Sequence, residues 1–274
     1  MGVRHVFGLL VVLALVAGAC GGDDAQDDDA ATTTTAAARA DAMALELIEC
    51  HQFGTNTGVD ADVAGRYLSA DQELFLDEEG RARFSLIAKD CTDIVVDGEP
   101  QGPGHFSTAW IRVTGPEETR TFPEHPDQLV IPTDYFHPVL FQTDNDGYAE
   151  LLAAFGVPMT RADSMTFDPP TPGMQTGSAT DTEMDPPLAY RWSVDNVNRG
   201  DRPVTVVHVL LGADDAGAPL TYEIVCPTEP PGFQGNIGTL EIEPGSGFED
   251  LLGSGFSGVA NGPDINCDVQ ITRG

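Results

Sequence analysis

The stretch HFSTAWIRVT, residues 105–114, decides the fold class. Phe106, Thr108 and Trp110 alternate with Ser107 and Ala109, the pattern expected of a half-buried β-strand, whose successive side chains point to opposite faces. The same reading extends outward in both directions. ALELIECHQF (44–53), RFSLIAKDC (83–91), TDIVV (92–96), YFHPVLFQ (135–142), LAYRWSV (188–194), PVTVVHVLL (203–211), LTYEIVC (220–226), TLEIE (239–243) and INCDVQITR (265–273) are predicted strands. Asp97-Gly98 is a turn signal after 92–96. Pro138 lacks an N–H and puts 135–142 at a sheet edge or a bulge.

Helical signals are few. VDADVAGRYL (59–68) carries Asp60 as N-cap, with Val63, Tyr67 and Leu68 on one face. DGYAELLAAFG (146–156) is the clearest helix, with Asp146 as cap, a stripe of Leu151, Leu152 and Phe155, and Gly156 as stop. GFEDLLG (247–253) makes at most one or two turns. The Pro-rich segment 168–187 is expected to be a long loop or a weak strand. No period of 20–50 residues repeats and no βαβ rhythm appears. The expectation is therefore one mostly-β domain of the α+β class over residues 43–274, a curved antiparallel sheet or cone-like barrel with two or three short helices.

The chain of 274 residues holds 44 acidic side chains against 13 basic ones, a formal net charge of −31. Phosphate contacts need Lys and Arg, so nucleic acid is excluded as a partner, and so is docking on an anionic membrane through a basic patch. With 41% hydrophobic residues the chain can still bury a core.

Residues 1–19 read as an export signal: Arg4, then an apolar run from Val6 to Val16, then Ala17, Gly18 and Ala19. That run is short for a membrane span, which needs about 20 apolar residues. Val16-Ala17-Gly18-Ala19-Cys20 resembles the lipobox of bacterial lipoproteins, although Ala17 stands where Leu is usual. The resemblance implies a lipid on Cys20 and attachment to the outer face of the cytoplasmic membrane. Simple cleavage at Ala17-x-Ala19 would cut the same bond and leave the protein free. Residues 20–42 then form an acidic, Thr-rich tether that cannot bury a core. Setting Cys20 aside leaves Cys50, Cys91, Cys226 and Cys267, an even set that in an exported chain points to two disulfides. Both 50–91 and 226–267 span 41 residues. These local pairs are favoured among the three connectivities. No C-x2-C spacing supports zinc.

Three stretches together resemble the acetoacetate decarboxylase-like superfamily, in particular exported actinobacterial relatives: VDADVAGRYLSADQELFLDEEGRARFSLIAKDC, VDGEPQGPGHFSTAWIRV and YFHPVLFQTDNDGYAELLAAFGVP. GFEDLLGSGF looks like a late part of the same pattern. The resemblance spans residues 45–270 and implies a cone-like antiparallel β structure around a cavity. Acetoacetate decarboxylase forms a Schiff base through a lysine whose pKa a neighbouring lysine lowers. This chain holds one lysine, Lys89, with no Lys-Lys pair, and Lys89 does not align with that nucleophile. Beside Asp90 it is expected to be a surface charge, and the Schiff-base chemistry is expected to be absent.

Other motifs are incomplete. QTDNDG (142–147) fails as a calcium loop at positions 1 and 12. G-x-S-x-G, H-E-x-x-H and C-x-x-C are missing from the sequence. His105 and His208 lie on predicted strands and could face one cavity, but two histidines on different strands are more often structural, so neither a metal nor another cofactor is expected. Trp110, Tyr135 and Trp192 are candidates to line a pocket for a small apolar or amphipathic ligand, with Arg112 or Arg191 to clamp a carboxylate. The leading expectation is a lipid-anchored cell-envelope protein that binds a small molecule or an envelope partner without catalysis. The alternative is a superfamily enzyme acting on a small carboxylate without a Schiff-base lysine. A solute-binding lipoprotein for a transporter comes third.

Overall fold

The computed structural model describes residues 41–115, 129–130, 134–162, 164–167, 174–181, 187–195, 204–227, 237–260 and 264–274. The export signal, Cys20 and the tether up to residue 40 lie outside the described residues, as do 168–173 and 182–186 of the Pro-rich segment. Fifteen strands are described: β1 Ala42–Val59, β2 Ala82–Val96, β3 Glu99–Pro100, β4 Gly104–Val113, β5 Leu129–Val130, β6 Asp134–Thr143, β7 Thr160–Arg161, β8 Ser164–Phe167, β9 Met174–Asp181, β10 Leu188–Asp195, β11 Val204–Ala213, β12 Pro219–Pro227, β13 Ile237–Ile242, β14 Ser257–Ala260 and β15 Asp264–Arg273. The helices are α1 Ala61–Ala64, which runs into a 3-10 turn at Gly65–Tyr67, α2 Asp146–Phe155 and α3 Glu249–Leu252. The mostly-β, α+β expectation holds.

Seven strands close into a barrel in the order β11-β12-β15-β1-β2-β4-β6. Six of the seven junctions are antiparallel. The seventh, β6 beside β11, is parallel, with Asp134 opposite His208 and Phe136 opposite Leu210. A second, five-stranded sheet in the order β14-β13-β10-β9-β8 packs on the outside of β2 and β4. Two cores follow. One fills the barrel and includes Ile87, Phe106, Trp110, Phe136 and Tyr222. The other lies between barrel wall and outer sheet and includes Phe84, Leu86, Ile111, Tyr190 and Trp192.

This layering corrects several expectations. Residues 105–114 are buried on both faces along most of β4, because the outer sheet covers the face that alternation assigned to solvent. The two strands expected over 83–91 and 92–96 are one strand, β2. Pro138 sits at a bulge, one of the two positions expected for it: Ala109 pairs with Leu140 and Trp110 with Pro138, so Val139 is skipped. Asn145, not Asp146, caps α2, its side-chain oxygen accepting from the Tyr148 N–H at 2.9 Å. The buried face of α2 is Tyr148, Leu152 and Phe155, while Leu151 is exposed. Asp60 caps α1 as expected, accepting from the Val63 N–H at 3.0 Å, and Gly156 ends α2 with φ 98°.

The structure contains the disulfides Cys50–Cys91 and Cys226–Cys267. Cys50 and Cys91 are direct partners across β1 and β2 with Cα atoms 4.0 Å apart. Cys226 and Cys267 bridge β12 and β15 at 4.2 Å. No helix among the described residues is long and apolar enough to cross a membrane.

Candidate functional site: a lysine inside the barrel

Alternation along β2 turns Phe84, Leu86 and Ala88 toward the outer sheet, and Ile87, Lys89 and Cys91 toward the barrel interior. Lys89 is only 3% exposed, so it is not the surface charge that its neighbour Asp90 suggests. Its Nζ lies 3.8 Å from Sγ of Cys267 and 5.4 Å from the Phe106 ring centroid. No ion pair from a described carboxylate reaches it. An ammonium without a counter-charge in an apolar interior loses its hydration, and the neutral amine gains. Burial accordingly pushes Lys89 down to about 8.

The Lys89 side chain borders a small cavity of about 40 Å³, room for a few waters or a compound of a handful of heavy atoms. Its wall is mostly apolar, with Leu45, Phe141 and Ile271 among the side chains. Three polar atoms in that wall are buried without a hydrogen-bond partner: Thr108 Oγ1, Trp110 Nε1 and the Tyr222 hydroxyl. Burial pushes the Tyr148 and Tyr222 hydroxyls far above their ordinary pKa, so both stay protonated. Unpartnered buried polar atoms are costly, and several around one small cavity mark a place built for a polar guest.

His208 completes this interior cluster. Its ring meets Trp110 and Phe136 edge-on, with centroids 5.3 Å and 5.2 Å apart. Its Nδ1 is buried without a partner. Burial first, and then the charge of Lys89, lower its pKa to about 4, so the imidazole is neutral at neutral pH.

The remaining residues singled out from sequence do not gather here. His105 faces outward from β4, so the two histidines do not share a cavity. Its Nδ1 lies 2.6 Å from Asp144 and its Nε2 3.4 Å from Asp90, and its ring stacks on Phe167 of β8 at 4.8 Å. The hydrogen bond to Asp144 raises its pKa, against burial. Tyr135 packs with Val113 and Val209 in a third small cluster. Trp192 lies between the sheets, 4.8 Å from Phe167 and 5.6 Å from Tyr190. Arg191 pairs with Glu241 at 2.6 Å on the exposed side of the outer sheet. Arg112 pairs with Asp134 and lies over Phe75. Of the predicted pocket residues, only Trp110 and His208 meet, and the lysine beside them was not among the candidates. Its signal was present: Lys89 is two residues from both Ile87 and Cys91, on the face that a period of 2 assigns to the core.

No family model matches the chain, and no curated protein is similar to it in sequence. Solved structures do match. A structure of the acetoacetate decarboxylase from Legionella pneumophila aligns at a TM-score of 0.51 with 14% identity, over 84% of this chain and 85% of that one. The enduracididine biosynthesis enzyme MppR, complexed with the condensation product of pyruvate and imidazole 4-carboxaldehyde, aligns at 0.50 with 12% identity, over 85% and 87%. MppR with HEPES buffer bound aligns at 0.50 with 13% identity. At these identities the likeness is one of fold.

Proposed function

We propose that this chain is an exported, lipid-anchored barrel protein that captures a small carbonyl compound on Lys89. The observation that carries the reading is a buried amine with no counter-charge beside a cavity of its own. Imine formation needs a neutral amine, an electrophilic carbon within reach, and an environment that disfavours competing charge. A pKa of about 8 leaves about a tenth of Lys89 neutral at pH 7, roughly 300-fold more than an ordinary lysine offers. The nitrogen lone pair attacks the carbonyl carbon. One N–H proton passes to the oxygen, giving the carbinolamine, and the second leaves with the hydroxyl as water, giving the neutral imine. Thr108, Trp110 and Tyr222 supply donors to a guest's oxygen from the cavity wall. In the acetoacetate decarboxylase-like resemblance a second lysine depresses the nucleophile's pKa; here burial does so alone.

Export and anchoring rest on the apolar run before Cys20 and on the disulfides, which persist in oxidising compartments. A Cys20→Ser substitution is expected to move the protein from the membrane fraction to the soluble one. Reductive trapping tests the site. The oxidised protein is treated with pyruvate or acetone and borohydride, then digested and mapped by mass. The expected adduct lies on the peptide holding Lys89, the chain's only lysine, and disappears in Lys89→Gln. An unmodified Lys89 with both compounds, between pH 7 and 9, overturns the reading.

A further inference from the structure

Basic residues are scarce in this chain, yet three arginines meet at one end of the barrel. Arg81, Arg83 and Arg112 line a cleft of about 360 Å³ together with Asn56, Thr57, Gly58, Phe75 and Asp77. The sheet register explains how two of them meet. Phe84 of β2 pairs with Ile111 of β4, so continuing the ladder by one residue sets Arg83 opposite Arg112. Like charges directly opposite one another weaken a sheet. The cleft adds Arg81, two residues from Arg83 and level with the same end of β1, where Gly58 pairs with Arg83.

Each arginine is in a different state. Arg81 is held by Asp77 at 3.0 Å and Glu79 at 3.3 Å. Its guanidinium lies so close to Gly58 that a Cβ there would stand 2.8 Å from Cζ. Arg112 pairs with Asp134, and its guanidinium sits 3.9 Å from the centroid of Phe75, a ring that is 41% exposed. Arg83 is exposed and has no carboxylate partner among the described residues. Two arginines are thus fixed by neighbours, and a third is left with its charge uncompensated beside them. An exposed planar fork without a carboxylate, next to two positioned forks, suits the recognition of an oxyanion. Asp77, Glu79 and Asp134 balance the three arginines in number, so the cleft offers an anion the unpaired fork of Arg83 rather than a net positive field, while the acidic charge beyond about 8–10 Å is screened at physiological ionic strength.

We propose that this arginine cleft is a binding site for a small multivalent oxyanion, such as a phosphate or a dicarboxylate. Arg83 makes the principal contact, and Arg81 and Arg112 flank it. The site is separate from the Lys89 cavity: Arg83 lies six residues away along β2, about 20 Å.

Calorimetric titration of the full oxidised protein with inorganic phosphate, and separately with malonate, tests the proposal at a fixed ionic strength of about 0.1 M, where the screening length is about 10 Å. Saturable one-to-one binding of either anion is expected, weakened at least about 10-fold in Arg83→Gln. Gly58→Ala, which displaces the Arg81 guanidinium, is expected to weaken it as well. Arg161→Gln removes another exposed arginine, paired with Asp146 elsewhere, and is expected to leave binding unchanged. Absence of saturable binding for both anions, or equal binding in Arg83→Gln, overturns the proposal.

Discussion

Replacing Lys89 by Met should make the protein more stable at neutral pH, which is the reverse of what loss of a functional side chain usually does in a core. Unfolded, the amine titrates near 10.5; folded, near 8. Between these values the unfolded chain holds more protons than the native one, so native stability rises with pH across that window. Below it, the native state bears the full cost of a charged, desolvated amine. From the two pKa values the cost is about 3 kcal/mol at pH 7, about 2 kcal/mol at pH 9, and under about 0.5 kcal/mol at pH 10.5. Met fills a similar volume without a charge. Urea unfolding of both proteins from pH 7 to 10.5 measures the difference directly. A stabilisation that shrinks along this curve supports a buried, unpaired amine. A destabilised variant, or a difference that does not change with pH, refutes the reasoning, because it requires that a partner stabilise the charge.

Other outcomes follow from the titrating and close-packed groups. His208, lowered to about 4, holds fewer protons folded than unfolded between pH 6.5 and 4, so stability should fall as acid is added through that range. His208→Phe should flatten this limb in melts at pH 4.5; an unchanged limb excludes His208 as its source. His105 has the opposite sign: its raised pKa contributes stability below pH 6.5 that is lost as pH rises through the folded value. Asp144→Asn should move the His105 ring titration, followed by NMR, to lower pH; an unmoved titration assigns the shift to other groups. Gly177 of β9 lies against the Trp192 indole and the Thr166 carbonyl. Gly177→Ala should cost about 1–3 kcal/mol by forcing apart β8, β9 and β10. A denaturation midpoint within error of the parent would count against this packing.

Strand identity was legible from local alternation, since β4, β10, β11, β12 and β15 fall close to where their apolar runs lie. Alternation, however, reports one covered face and one wet face, and it cannot see a second sheet. Ala109 and Ile111 look like the solvent side of β4 until β10 and β13 are laid over them. Short strands such as β7, β8 and β14 carry too few residues for any period to register, and β5 and β7 take part through parallel pairings set by distant segments. The candidate site failed for a different reason. The charge of Lys89 and its neighbour Asp90 suggest the surface, while its parity with Ile87 and Cys91 puts it in the core. Trp110, Tyr135 and Trp192 share only aromatic character, and the fold distributes them among three separate clusters. Arg81 and Arg83 stand two apart in a chain poor in base, and that spacing is readable without a structure.

The two ends of the folded domain leave it side by side, because Ala42 at the start of β1 is paired with Thr272 near the end of β15. A force applied between them therefore acts across the hydrogen bonds rather than along the strands. The β1–β15 ladder would open like a zip, one bond at a time, at low force, whereas strands pulled from opposite ends resist by shearing all bonds together. The rupture has stops built into it. Once the chain has peeled back to Cys50 on one side and Cys267 on the other, tension passes through the disulfides to Cys91 and Cys226. Each bridge withholds a loop spanning 41 residues from extension. An oxidised molecule in a single-molecule pulling experiment should lengthen by that much less at each bridge than a reduced one.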